Sequence, residues 1–370
     1  MGSSASYQLS KRGLKVLALE RFGLGHGFGS SHGRTRIIRL AYYEDDRYVP
    51  LLKRAFQSWR EAEAETGKTL LKMTGGLMMG DGDGGLVTGV LKSARAHDLA
   101  HRMFSREEAM EAFPMFSLAE GACAVYDSNA GVLFPEDCIG AFVSMARARG
   151  CEFRFSEAVT GWKGAAGGIE VSTDRDRYLA DKMILCAGAW TQGLSGLPLP
   201  LECERQAVFW YPPPKLKGYG PEEMPVFISE EKGGSFYYGV PDFGDGVKVA
   251  QSHGGTRADP DSVDRGVTSR DRAPVEAFLS RRLAPMKGPE LSSMVCLYTN
   301  TPDRNFAIGP SPADPRVVVV SACSGHGFKF ASVMGEVAAD ITAGRKPPFD
   351  LSFLGLDRFS PGRVSIDAAT

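Results

Sequence analysis

The sequence predicts a mixed α/β fold of two interleaved bodies, one of parallel strands alternating with helices, the other built on a mostly antiparallel sheet. Three observations carry this. Residues 3–12 read as a helix closed by Gly13, and LKVLAL at 14–19 reads as a buried parallel strand ending in Glu20. Between 199 and 299 the texture changes to alternating, aromatic-rich strands: VFWYP, SFYYGV, GVKVAQ and MVCLYT. Near the end a valine-rich strand at 316–322 passes through the turn Ser324-Gly325-His326-Gly327 into a helix over 328–343.

The opening matches the later parts of a Rossmann-like dinucleotide-binding unit, which begins with a strand and a glycine turn and places an acid at the tip of its second strand. Gly2 stands where the last glycine of a GxGxxG turn falls, 18 residues before Glu20, against an expected interval of about 20. The first strand and most of that turn are not in the sequence, so the chain as written is expected to fold poorly or to bind a dinucleotide weakly. Gly23, Gly25, Gly27 and Gly29 come after the acid and read as loop. A helix over 46–66, a strand at 70–79, a glycine-rich turn at 80–85 and a helix over 86–97 follow. The GDGDGG turn lacks the later bidentate acid of a calcium loop and reads as solvated. Next come a helix over 135–150 and strands at 151–155, 168–173 and 182–186. The aromatic-rich stretch, interrupted by a helix at 273–283, has the pattern of a sheet with one face covered. The first body takes residues 1–75, 136–198 and 300–370, and the second takes 76–135 and 199–299.

Bulk properties exclude several classes. A formal charge of −1 over 370 residues gives no electrostatic case for nucleic acid or an anionic membrane. Seven scattered cysteines without CxxC spacing argue against a disulfide framework or a metal site and for a reducing compartment. The longest apolar runs are strand-length, and no leader is visible at Met1, so a cytoplasmic, soluble enzyme is expected.

Four segments hold most of the reactive side chains. The first, Gly29-Ser30-Ser31-His32-Gly33-Arg34-Thr35-Arg36-Ile37-Ile38-Arg39, carries three arginines suited to phosphate or carboxylate, or simply forms a basic surface turn. The second pairs Tyr237-Tyr238-Gly239 with Lys248 on the next strand. In the third, Cys296-Leu297-Tyr298-Thr299, a lone strand cysteine ordinarily serves as a small core residue. The fourth is Ser324-Gly325-His326-Gly327-Phe328-Lys329-Phe330, where a lysine in the first turn of a helix opposes the dipole unless it meets an anion.

Taken together, GSSHGRTRIIR, YYGVP, CLYTNTPD and SGHGFKFASVMGE resemble the monomeric sarcosine oxidase and N-methyl-amino-acid oxidase family, from Gly2 to about Phe359. The resemblance implies FAD carried covalently by Cys296 through a thioether at the 8α carbon. It makes Arg39 and Lys329 the clamp for a substrate carboxylate, and it lays Arg36, Ser30, Ser31 and His32 along the flavin and its pyrophosphate. Tyr238 and Tyr298 then line the substrate pocket, and Lys248 sits near the flavin through water and speeds its reaction with oxygen. Gly325, His326 and Gly327 pass the pyrimidine edge of the flavin. The implied reaction takes a small secondary amino acid, N-methylated or cyclic, and molecular oxygen. It proceeds by hydride-like transfer to flavin N5, hydrogen peroxide release and imine hydrolysis, in a monomer. One departure lies near Lys248: the family has a histidine four residues later, where Ser252 stands, and His253 follows it. Either a local shift such as a bulge brings His253 into that role, or the pocket prefers an amine other than sarcosine. The alternatives are a flavin-dependent dehydrogenase using another acceptor, a nicotinamide-dependent dehydrogenase and an inactive remnant.

Overall fold

Strands and helices alternate along the computed structural model, which describes residues 1–359 except 215–217, 284–285 and 287. The expected first body, ending at 370, therefore extends beyond the described residues, whereas the helix expected at 273–283 is present as Ser269–Arg282. Among the described residues no helix is long and apolar enough to cross a membrane.

The first body centres on helix Gly2–Lys11, which lies between helices Pro135–Arg147 and Ala331–Thr342. Ser4 makes that approach possible: its hydroxyl donates to the Ser332 carbonyl at 3.0 Å, and a Cβ on Gly335 would lie 2.1 Å from Ser4 Oγ. Strand Leu17–Glu20 pairs in parallel with Glu152–Phe155, and Met183–Leu185 pairs in parallel with Val317–Ser321. These are two separate sheets among the described residues. Their facing edges border one cleft of about 2020 Å³, lined by Gly2, Glu20, Ser30, Ser31, Met183 and Thr299 among others. The expectation of a buried strand at 14–19 is thereby corrected. The strand starts at Leu17, which is 37% exposed, because its second edge meets the cleft and not a neighbour.

The second body is a nine-stranded sheet. From Glu202–Tyr211 it runs through Val247–Ser252, Ser235–Val240 and Val226–Glu231 to Gly76–Asp81, Ala122–Asp127 and Arg102–Phe104, with the short strand Thr256–Arg257 and the long strand Ser292–Asn300 also paired to Glu202–Tyr211. All pairings are antiparallel save one: Val226–Glu231 and Gly76–Asp81 run parallel, which joins the two separated stretches of sequence. The expectation of a single covered face fails here. Gly76–Asp81 and Val247–Ser252 are buried on successive residues, because the first body closes one face and helix Ser269–Arg282 packs on the other. The expected strand at 70–79 is two strands in different sheets, Leu71–Met73 and Gly76–Asp81. The expected 328–343 helix begins as a 3-10 turn, Phe328–Phe330, before the α-helix Ala331–Thr342. Lys329 is therefore in that turn rather than the first turn of an α-helix.

Candidate active site

Strand alternation places the site on one face of the large sheet. Residues directly opposite in an antiparallel pair point the same way. Cys296 faces Gln206, Tyr298 faces Glu204, and Lys248 faces Trp210, so all six share one face. Tyr238, opposite Ala250, joins them from the next strand.

The loop 29–35 folds onto this face and is held there by buried groups. Lys248 Nζ donates to the carbonyls of Gly33 and Thr35, both at 2.9 Å, and lies 5.2 Å from the Trp210 ring centre. Glu136, at the start of its helix, accepts from the amides of Gly33 (2.8 Å) and Arg34 (3.1 Å). Ser30 Oγ donates to the Leu297 carbonyl, and Arg36 donates to the carbonyls of Ser30 and Thr35. Burial drives the Lys248 ammonium well below the ordinary lysine range, and Arg36 beside it adds to the effect.

Cys296 is buried against this loop. Its Sγ is 3.9 Å from His32 Nδ1 and 4.0 Å from Arg36 Nη2. Burial alone would raise the thiol, but the His32 contact and the charge of Arg36 outweigh it and bring the thiol down to about 7. The sulfur is thus substantially thiolate at neutral pH, the form that acts as nucleophile. Among the seven cysteines, all free, Cys138, Cys186 and Cys203 are instead raised by burial.

A second cluster gathers around Tyr42. The Arg39 guanidinium lies 4.3 Å from the Tyr42 ring centre and Lys329 Nζ lies 5.3 Å from it. Arg39 Nη2 reaches both carboxylate oxygens of Glu44 at 2.7 and 2.6 Å, and Nη1 donates to the Ala41 carbonyl. Its Nε is buried with no hydrogen-bond partner among the described residues. Lys329 Nζ donates to the His326 carbonyl at 2.6 Å, while burial and then Arg39 lower its ammonium to about 7. Glu44 is pushed up by burial, but Arg39, with His326 and Lys329 behind it, holds it below the usual carboxylate range. Both ring nitrogens of His326 are taken, by Tyr42 Oη (2.6 Å) and the Arg304 carbonyl (2.9 Å), and burial lowers the imidazole to about 4. Whatever this residue offers a cofactor comes from its backbone.

His253 reaches the same face by an unexpected route. The strand Val247–Ser252 carries no bulge there; instead His253 has φ 53°, and this left-handed residue redirects the side chain. Its ring lies 5.2 Å from Tyr298, edge to face. Gly325, with φ 76°, has no side chain for a reason: a Cβ would come 2.7 Å from Tyr298 Cε2 and 3.0 Å from His253 Nε2.

The residues present fit an FAD. Glu20 and Gly2 line the same cleft as Ser30, Ser31 and Thr299, and Thr299 Oγ1 is a buried hydroxyl without a hydrogen-bond partner among the described residues. Glu20 Oε1 accepts from the Phe22 amide at 2.9 Å, leaving its other oxygen free for a ribose hydroxyl. Sequence reasoning missed Tyr42, Glu44, Glu136, Glu204 and Asn300. The run Tyr42-Tyr43-Glu44, starting three residues after Arg39, was the one signal available for the first two.

The chain matches the family described as FAD dependent oxidoreductase over residues 1–341. It is 39% identical to a monomeric sarcosine oxidase of Streptomyces avermitilis over 348 residues, 92% of this chain and 90% of that protein. It is 34% identical to an N-methyl-L-tryptophan oxidase of Yersinia pestis over 364 residues, 97% and 96% of the two chains. Among solved structures it resembles NikD, an unusual amino acid oxidase essential for nikkomycin biosynthesis, with TM-score 0.83 and 23% identity over 95% and 94% of the chains.

Proposed function

The chain belongs to the FAD-dependent oxidoreductase family, with the monomeric sarcosine and N-methyl-L-tryptophan oxidases among its relatives, and from that premise we propose that it oxidises small secondary amino acids, N-methylated or cyclic, with molecular oxygen as acceptor. One observation carries the substrate class. Arg39 and Lys329 converge on Tyr42 with a single carboxylate, Glu44, between them, and both retain unused donors. A buried pair of cations with one anion is short of one negative charge. A substrate carboxylate supplies it, and restores the proton that burial takes from Lys329.

FAD, when bound, supplies the acceptor for the two electrons and the hydrogen that leave the carbon beside the amine. The chain's own residues do the rest. Arg39 and Lys329 fix the carboxylate end, so that the opposite end of a short amino acid is directed to the sheet face of Tyr238 and Tyr298. Those phenols, raised by burial, stay protonated and present neutral walls to the amine substituent. Lys248, anchored between Gly33 and Thr35, keeps a nitrogen beside Cys296 and Arg36, where oxygen is reduced to hydrogen peroxide. The Cys296 thiolate is the attachment point for the flavin, favoured by His32 and Arg36.

The fold supports the division of labour expected from the sequence. Residues 76–135 and 199–299 share the nine-stranded sheet and form the substrate side; 1–75, 136–198 and 300–359 form the cofactor side, residues 360–370 lying outside the described part. Free thiols throughout the described chain suit a reducing, cytoplasmic setting. The test is hydrogen peroxide yield from the flavin-loaded protein with sarcosine, N-methyl-L-tryptophan and pipecolate. Peroxide equal to substrate consumed supports the reading. Flavin bleaching that persists in air identifies a dehydrogenase using another acceptor, and no bleaching with any secondary amino acid overturns the substrate class.

A further inference from the structure

On the face shared by Cys296 and Tyr298 stands a buried carboxylate with no arginine or lysine partner among the described residues. Glu204 is 9% exposed and faces Tyr298 across the strand pair. Its Oε1 accepts from Gln206 Nε2 (2.5 Å) and from the Gly255 amide (3.0 Å). Its Oε2 accepts from Asn300 Nδ2 (2.6 Å) and lies 3.5 Å from His253 Nδ1. That nitrogen is buried and has no other partner. Burial pushes Glu204 up, yet His253, the Gly255 amide and Asn300 together bring it below the usual carboxylate range. An ionised carboxylate in such a place is costly unless each lone pair is used, and here the amides of Gln206, Gly255 and Asn300 use three. The fourth direction is left to His253.

The geometry points to Glu204 as a positioning residue. We propose that it holds the His253 imidazole with its proton on Nδ1, leaving the Nε2 lone pair as a fixed acceptor for the N–H of a bound secondary amine. Three features agree. The left-handed backbone at His253 (φ 53°) is a strained conformation for a residue with a side chain, kept only where the surroundings hold it. The ring is braced against the edge of Tyr298. Its Nε2 stands 3.0 Å from the position a Cβ on Gly325 would take, so the ring holds its place only because that residue of the Ser324–Gly327 turn is a glycine. A carboxylate that orients an imidazole through one nitrogen sets what the other nitrogen can do. The inference rests on the reading of the substrate as a secondary amine, and it adds a group that selects for an amine N–H at the end of the pocket away from Arg39 and Lys329.

The test uses the full chain loaded with flavin, histidine labelled with nitrogen-15, at pH 8. In the parent, His253 is expected to show a protonated Nδ1 and an unprotonated Nε2. In Glu204→Gln the amide still accepts from the Gly255 amide but no longer favours a proton on Nδ1, so the tautomer is expected to shift toward Nε2–H. Kinetically, E204Q is expected to raise KM for the secondary amine roughly tenfold with kcat within about twofold, and to add no further loss in a His253→Asn background. An Nε2–H tautomer in the parent, an unchanged tautomer in E204Q, or losses that simply add would each overturn the proposal. The tautomer readout needs no turnover, so an absence of peroxide with every secondary amine would overturn the substrate reading while leaving the Glu204–His253 pairing decided by the spectra.

Discussion

The depressed lysine at the proposed carboxylate clamp should make carboxylate binding pH-dependent in a way that can be calculated. Lys329 falls from an ordinary 10.5 to about 7, first through burial and then through the charge of Arg39, with Glu44 opposing. A ligand carboxylate favours the charged ammonium. In the absence of ligand that charged form dominates below pH 7 and is lost above it, so affinity is full on the acid side and declines as pH rises. If only the protonated form binds, the dissociation constant grows as 1 + 10^(pH − pKa), roughly tenfold at pH 8 and roughly a hundredfold at pH 9. Acetate is a suitable probe, since it carries no group that titrates between pH 6 and 9. It would be titrated into the flavin-loaded protein and followed by the change in the visible absorbance of the flavin. Arg39 keeps its charge throughout this range, so Lys329→Met should weaken acetate at pH 6.5 and flatten the pH dependence above it. A dissociation constant that stays constant from pH 6.5 to 9 in the parent would refute the reasoning, as would an undiminished slope in the Lys329→Met protein.

Glu44→Gln should lower the melting temperature, because it leaves the buried Arg39 charge without its partner at a cost of about 3 kcal/mol. Saturating acetate should recover most of that loss in differential scanning calorimetry. Cys296→Ser should abolish the yellow pellet on acid precipitation while leaving flavin in the supernatant, and a pellet that stays yellow would move the attachment elsewhere. Lys248→Met removes the two hydrogen bonds to Gly33 and Thr35. Stopped-flow traces should show reoxidation by oxygen slowed by two orders of magnitude or more, with anaerobic reduction by substrate changed far less; equal slowing of both would argue for a merely structural lysine.

Much of the scaffold was legible because it depends on local signals. The opening helix was placed to within a residue at either end, and its valine-rich counterpart Val317–Ser321 was found from an uninterrupted apolar run. The strand Val226–Glu231 was missed, since its sequence ends in two acids and its significance lies in a parallel pairing with Gly76–Asp81, some 150 residues away. Lys329 announced itself by standing against a dipole, and the structure places it in a 3-10 turn where burial, not the dipole, dominates. Glu204 gave no signal at all. In an alternating strand an acid reads as the solvent side, and only the covering of both sheet faces turns it into a buried charge. The partner of Arg39 lay five residues on, in a run that reads as a polar surface turn.

The antiparallel pairing of Glu202–Tyr211 with Ser292–Asn300 aligns nine consecutive residue pairs. Cys296 and Tyr298 stand two residues apart on it, so both occupy the same side at once. A slip of one residue in assembling this pair would turn both to the opposite side together, away from Glu204 and Gln206 on the partner strand. If Cys296 carries the flavin as proposed, that bond can form only on molecules whose strands have zipped in the correct alignment. Cofactor attachment would thus act as a proofreading step, permanently marking chains in which the amine-facing wall was also assembled correctly.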